Sequence, residues 1–91
     1  MADVVITIKV MLESPEIDVK KTENLVKEKL ASFDIMQIRF EVEPIAFGLN
    51  AIKATFVLDE NEGPTDAIEE ELKSLDGVGS VETVDVRRAI G

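Results

Sequence analysis

The hydrophobic period of this chain switches back and forth between two and about 3.6, which limits the fold more than any other feature. Val4, Ile6, Ile8, Val10 and Leu12 recur at every second position, with Thr7 and Lys9 between them. Successive strand side chains point to opposite faces, so this spacing predicts a strand with one buried face. Ser14 and Pro15 break the pattern. Val19, Thr22, Leu25, Val26, Leu30 and Phe33 then fall at helical spacing, with Lys20, Lys21, Lys27 and Glu28 on the wet side. The stripe is narrow, as expected of a helix laid over a sheet. Asp18 is placed to cap that helix, because its carboxylate can accept from a first-turn N–H.

From Met36 the period returns to two. Met36, Ile38, Phe40 and Val42 alternate with Gln37, Arg39, Glu41 and Glu43. Pro44 cannot donate to a ladder and marks an edge, a bulge or the strand end. Phe47, Gly48, Leu49 and Asn50 predict a turn. Ile52, Ala54, Phe56 and Leu58 predict the next strand. Asp59, Glu60, Asn61, Glu62 and Gly63 read as an acidic loop. Pro64 and Asp66 suit the first turn of a second helix. Ala67, Ile68, Glu71, Leu72 and Leu75 lie at helical spacing there, with Glu69 and Glu70 in solvent. Gly77 is a suitable terminating residue. Val78 to Arg88 reads as a last strand with Val84 and Val86 inward.

The resulting order is β-α-β-β-α-β. Right-handed crossovers put both helices on one face of a four-stranded antiparallel sheet. This is the ferredoxin-like arrangement of the α+β class. Ninety-one residues make one domain, spanning 1–91, with no internal repeat or linker.

Composition narrows the function. There is no His and no Cys. That removes imidazole bases, thiolate nucleophiles, disulfides and Cys-based zinc sites. Ten Lys and Arg against nineteen Asp and Glu leave a net charge of −9, which disfavours a phosphate backbone as partner. Asp59, Glu60 and Glu62 lack the fixed ligand pattern of a calcium loop and read as a solvated loop. Glu69, Glu70 and Glu71 are consecutive and fan around a helix. Gly77-Val78-Gly79 lies after a helix, so it is no phosphate loop. RNA-recognition domains share the topology but stack bases on open-face aromatics. Here Phe40 and Phe56 fall in phase with the core, leaving Thr7, Lys9, Arg39, Glu41, Lys53 and Thr55 for the open face. We expect no bound metal, no cofactor and no catalytic residue. Met1-Ala2-Asp3 is not followed by a signal peptide or a membrane span, so a cytoplasmic protein is expected.

One stretch fits poorly with a solvated hairpin: Pro44-Ile45-Ala46-Phe47-Gly48-Leu49-Asn50. Gly48 can adopt positive φ and fix the direction of the Phe47 ring. Two readings stand side by side. Phe47 folds back to close the end of the core, or it is an exposed anchor for a partner.

The same stretch carries a family resemblance. PIAFGLNAIK, residues 44–53, resembles the PIAFGLKALK signature of the translation elongation factor 1-beta family. The similarity extends through VVITIKVMLESPEIDVKKTENLVKEKL near the start and VGSVETVDVRRAIG at the end. The length is that of the archaeal form, the exchange domain alone. The resemblance implies a guanine-nucleotide exchange factor that promotes GDP release from, and GTP reloading of, elongation factor 1-alpha. It implies action by binding the GTPase, with no covalent chemistry; no direct nucleic-acid contact, no membrane and a monomer when free are further expectations. Family contact through the Phe of the FG pair transfers to Phe47, with Gly48 setting its geometry. The partner-binding residues so implied are Ile45, Ala46, Phe47, Gly48, Leu49, Asn50, Arg87 and Arg88. Two departures stand out. Eukaryotic relatives place a Lys at the extreme C-terminus, where this chain has Gly91; either Arg87 or Arg88 supplies an analogous charge, or this form manages without it. The family's Lys after the FG-aliphatic turn is Asn50 here. The rival is a ferredoxin-like regulatory domain that binds a small ligand, of the ACT kind. A metallochaperone of this topology is excluded by the missing Cys.

Overall fold

The computed structural model describes residues 3–35, 37–59 and 66–88. Its elements are β1 (Asp3–Leu12), α1 (Val19–Ala31), β2 (Ile38–Pro44), β3 (Asn50–Asp59), α2 (Asp66–Lys73) and β4 (Val78–Arg88). The strands form one antiparallel sheet in the order β2-β3-β1-β4. This is the expected ferredoxin-like fold. Met36 and the Glu60–Pro64 part of the expected acidic loop and helix start lie outside the described residues.

The centre of the sheet is the β1–β3 pair. Ile6 stands opposite Phe56, Ile8 opposite Ala54 and Val10 opposite Ile52. All six are buried, and they share one cluster with Val26 and Leu30 of α1 and Ile68 and Leu72 of α2. Both helices therefore cover the same face.

The ends of α1 are satisfied locally. Asp18 Oδ1 accepts from the Lys21 N–H at 3.1 Å, the expected cap. At the other end the Ile35 N–H reaches Leu30 O and the Asp34 N–H reaches Ala31 O, at 3.1 and 3.0 Å. Asp34 takes φ 64°, and the pattern is a Schellman ending with buried Ile35 against Leu30.

The opposite face of the sheet carries the expected polar set. Thr7 and Thr55 hydroxyls meet at 3.1 Å. Lys9 and Lys53 are direct cross-strand partners, a repulsive pairing. Glu43 lies between them, with Oε2 at 3.5 Å from Lys9 Nζ and 3.6 Å from Lys53 Nζ. That oxygen is shielded from solvent, held at ion-pair rather than hydrogen-bond distance.

Two expectations need correction. Val84 and Val86 do not pack inward: they are 43% and 59% exposed. Ile8 pairs with Thr83 but Thr7 pairs with Asp85, so Val84 is the extra residue of a bulge. Gly79 is the extra residue of a second bulge, between Leu12↔Val78 and Met11↔Ser80. The bulges shift the phase of β4, so Val78 and Val81 reach the core instead. Val86 returns to the level of Ile6, but at a sheet edge where it stays exposed. In α2, Ala67 and Glu71 are exposed and only Ile68 and Leu72 are buried. Glu69 is not free in solvent: its Oε2 accepts from Thr83 Oγ1 on β4.

Gly77 turns the chain from α2 into β4 at φ +85°. A Cβ there would lie 2.8 Å from Ile17 Cγ2. Gly77→Ala is expected to lose about 1–3 kcal/mol through left-handed strain and crowding, read by urea unfolding.

Candidate functional site: the β2–β3 hairpin tip

The hairpin between β2 and β3 closes on the Pro44↔Asn50 pair. Beyond it the Ile45 N–H donates to Leu49 O at 2.7 Å, and the Leu49 N–H donates to Ala46 O at 3.4 Å. Ile45 and Ala46 thus stand against the single residue Leu49. The short turn Ala46–Gly48 has Phe47 at φ 66°, ψ 25° and Gly48 at φ 76°. Two successive left-handed residues spanned by that bond have the character of a type I′ turn. Its first central position favours Asn or Asp, whose short side chains tolerate positive φ. Here it holds Phe. An L-residue with a Cβ costs roughly 1–2 kcal/mol in this region.

The side chain recovers none of that cost from its own domain. Phe47 is 93% exposed, far more than any other large apolar side chain among the described residues. The sequence left open whether the ring folds back or stands out, and it stands out. Ile45, Leu49 and Asn50 are half-buried beneath it, while Ala46 and Gly48 are exposed. Residues 45–49 therefore form one apolar tip with an aromatic ring at its summit, and Asn50 flanks it.

Arg87 and Arg88 are elsewhere. Arg88 stands opposite Val4, at the level of Leu58, while the tip begins beyond Ala51, opposite Met11. Seven residues of strand separate those levels, roughly 23 Å at 3.3 Å per residue. Arg87 is exposed, with Nε 2.9 Å from Asp85 Oδ2. The eight expected contact residues thus fall into two groups at opposite ends of the sheet. Gly91 lies outside the described residues. Among those described, no group of three or more His, Cys, Asp or Glu could hold a metal ion.

The sequence reading assigned positive φ to Gly48 but not to Phe47. The signal was present: an FG pair occupies the place where hairpins favour NG or DG.

The fold is thus a small ferredoxin-like domain with an exposed aromatic ring at a strained hairpin turn. The chain belongs to the EF-1 guanine nucleotide exchange domain family, which it matches over residues 5–89. It is similar to proteins named elongation factor 1-beta from archaea. That of Methanosphaera stadtmanae is 47% identical over 90 residues, covering 97% of this chain and 98% of the relative. That of Methanothermobacter thermautotrophicus is 42% identical over 88 residues, covering 97% and 98%. That of Methanocaldococcus jannaschii is 43% identical over 89 residues, covering 98% and 100%. Among solved structures, the de novo designed protein Foldit4 superposes with TM-score 0.64 at 18% identity, covering 98% of each chain. The ACT domain from GTP pyrophosphokinase of Chlorobium tepidum gives 0.59 at 19% identity, covering 90% of this chain and 99% of that one. These two likenesses concern the fold alone. The family match carries the function, guanine-nucleotide exchange in translation elongation, over the ACT-like alternative.

Phe47→Asn restores the residue type this turn favours. It is expected to raise stability by up to about 1 kcal/mol, a rise in Tm of a few degrees for a domain of this size. Thermal unfolding followed by circular dichroism measures it.

Proposed function

We propose that this domain promotes GDP release from, and GTP reloading of, elongation factor 1-alpha by seating Phe47 in an apolar pocket of that GTPase. The observation that carries this reading is an almost fully exposed Phe at a left-handed turn position, in a chain of the exchange family. The turn is strained and its ring makes no use of its own core. A partner pocket would supply the burial, worth about 1.5–3 kcal/mol for a Phe side chain.

The mechanism needs no covalent step. An exchange factor binds the nucleotide-free GTPase more tightly than the GDP-bound form. By linkage, factor and nucleotide then weaken each other's binding by the same ratio. GDP in such GTPases is held by magnesium and a phosphate-loop backbone. Displacing either from outside is a matter of wedges and charges, which a chain without His or Cys can supply. Arg87 and Arg88 are the cations we assign to a second contact. A standard interface covers about 800 Å² per partner, a patch roughly 30 Å across. A domain 42 Å long can engage one GTPase at both ends only if the interface runs along its length. We read the domain as a cytoplasmic monomer when free, without direct nucleic-acid or membrane contact. Its net charge of −9 supports the nucleic-acid part of that reading. Among the described residues no helix is long and apolar enough to cross a membrane.

The test is release of fluorescent GDP from elongation factor 1-alpha in excess unlabelled nucleotide. Phe47→Ala is expected to raise the half-saturating concentration of the domain about 30-fold, equivalent to about 2 kcal/mol, with an unchanged circular dichroism spectrum. Undiminished release from the folded variant removes Phe47 from the interface. Replacing Arg87 and Arg88 together with Ala is expected to lower stimulated release independently. Combined with Phe47→Ala, the free-energy losses should add, because the two groups are far apart.

A further inference from the structure

The bulge at Val84 decides which side of the sheet the end of β4 presents. Thr83 stands opposite Ile8 on the helix side, and unbroken alternation from there would put Asp85 and Arg87 on that side too. The extra residue reverses the phase. Asp85 pairs with Thr7 and Arg87 with Val5, so both lie on the open face. Arg88, opposite Val4, falls on the other side. Thr83, just before the bulge, donates to Glu69 Oε2 and so ties this part of β4 to α2.

Asp85 and Arg87 are thereby neighbours on one face, and Arg87 Nε lies 2.9 Å from Asp85 Oδ2. The Arg87 side chain is 78% exposed, so the pair adds little to stability. Its effect is geometric. The guanidinium is planar, and a carboxylate held at Nε can occupy at most one of the two terminal nitrogens. The other faces away from Asp85, in a plane that the ion pair fixes.

We propose that Asp85 is a positioning residue for nucleotide exchange: it holds the Arg87 guanidinium in the orientation in which the GTPase meets it. This rests on the reading of Arg87 as a contact to that GTPase. A long side chain loses rotamer freedom when a partner immobilises it. Holding it in advance lowers that cost, so the effect falls on the concentration at which the domain acts.

The experiment compares Asp85→Ala, Arg87→Ala, Arg87→Lys and the double variant Asp85→Ala/Arg87→Ala in the fluorescent-GDP release assay. Glu82→Gln is the control: it removes one negative charge from the same face of β4, opposite Lys9 and away from Arg87. The Arg87 Nε–H resonance of the free domain is followed in parallel by NMR. Asp85→Ala is expected to raise the half-saturating concentration about threefold, and to shift that resonance and speed its exchange with water. Glu82→Gln is expected to leave both unchanged. Arg87→Lys keeps the charge but offers a single nitrogen for Asp85 and the partner to share, and is expected to lose most of what Arg87→Ala loses. The double variant should be no worse than Arg87→Ala alone, because Asp85 acts through Arg87. The proposal is overturned by an additive loss in the double variant, by an equal loss in Glu82→Gln, by full activity of Arg87→Lys, or by a resonance that Asp85→Ala does not move. An Asp85→Ala domain that acts at the original concentration or a lower one overturns it as well. The resonance reads the ion pair without any GTPase. Failure of the pair is therefore distinct from failure of Arg87 as a contact, which appears as undiminished exchange by the Arg87→Ala variant.

Discussion

The pairing of β1 with β3 is the constraint on which the rest of the molecule depends. Ile6, Ile8 and Val10 meet Phe56, Ala54 and Ile52 in one register, and this apolar floor is what both helices cover. A one-residue slip would turn every one of these side chains to the other face. The register thus carries the free energy of the whole core. It also determines where β3 begins, and so where the β2–β3 hairpin projects. The position of the hairpin tip follows from the hydrophobic pattern of the central strands.

The core and the exposed hairpin tip are consequently kept apart. Among the described residues, the buried side chains are aliphatic apart from Phe56 and Thr22, and all lie on the helix side of the sheet except Ala51. The open side is fastened by modest polar contacts, including Glu43 between two lysines, and partly exposed pairs of that kind add little to stability. The Phe47 hairpin stands outside both layers. It has an unfavourable backbone conformation and an exposed ring, the two features on which the proposed contact with the GTPase rests. Loops on a rigid scaffold are where such function is usually placed. Exchange by differential binding asks for no more chemistry than this.

The central elements were legible because each keeps one period throughout. β1, β3 and α1 have uninterrupted patterns, and Asp18 caps α1 as its position suggests. β4 was less legible because bulges at Gly79 and Val84 break its phase, and a bulge leaves no mark in a simple alternation. In α2, Glu69 was assigned to solvent because charge alone does not reveal the Thr83 hydroxyl on a neighbouring strand. Phe47 was the sharpest ambiguity. A lone Phe next to Gly is compatible with a ring folded inward or outward, and helical or strand period says nothing about a turn.

Legible from the amino-acid order alone are the succession of elements, the face each central strand buries, the absence of imidazole and thiol chemistry, and the family through its hairpin signature. These are local or compositional properties, carried by spacing and residue type. That Phe47 points outward, and that Arg87 and Arg88 sit at the far end of the sheet, was settled by the three-dimensional fold. Each of these depends on which residues distant in sequence become neighbours. That is set by strand register and by how the chain turns at Phe47, Gly48 and Gly77, where the left-handed backbone leaves no periodic trace.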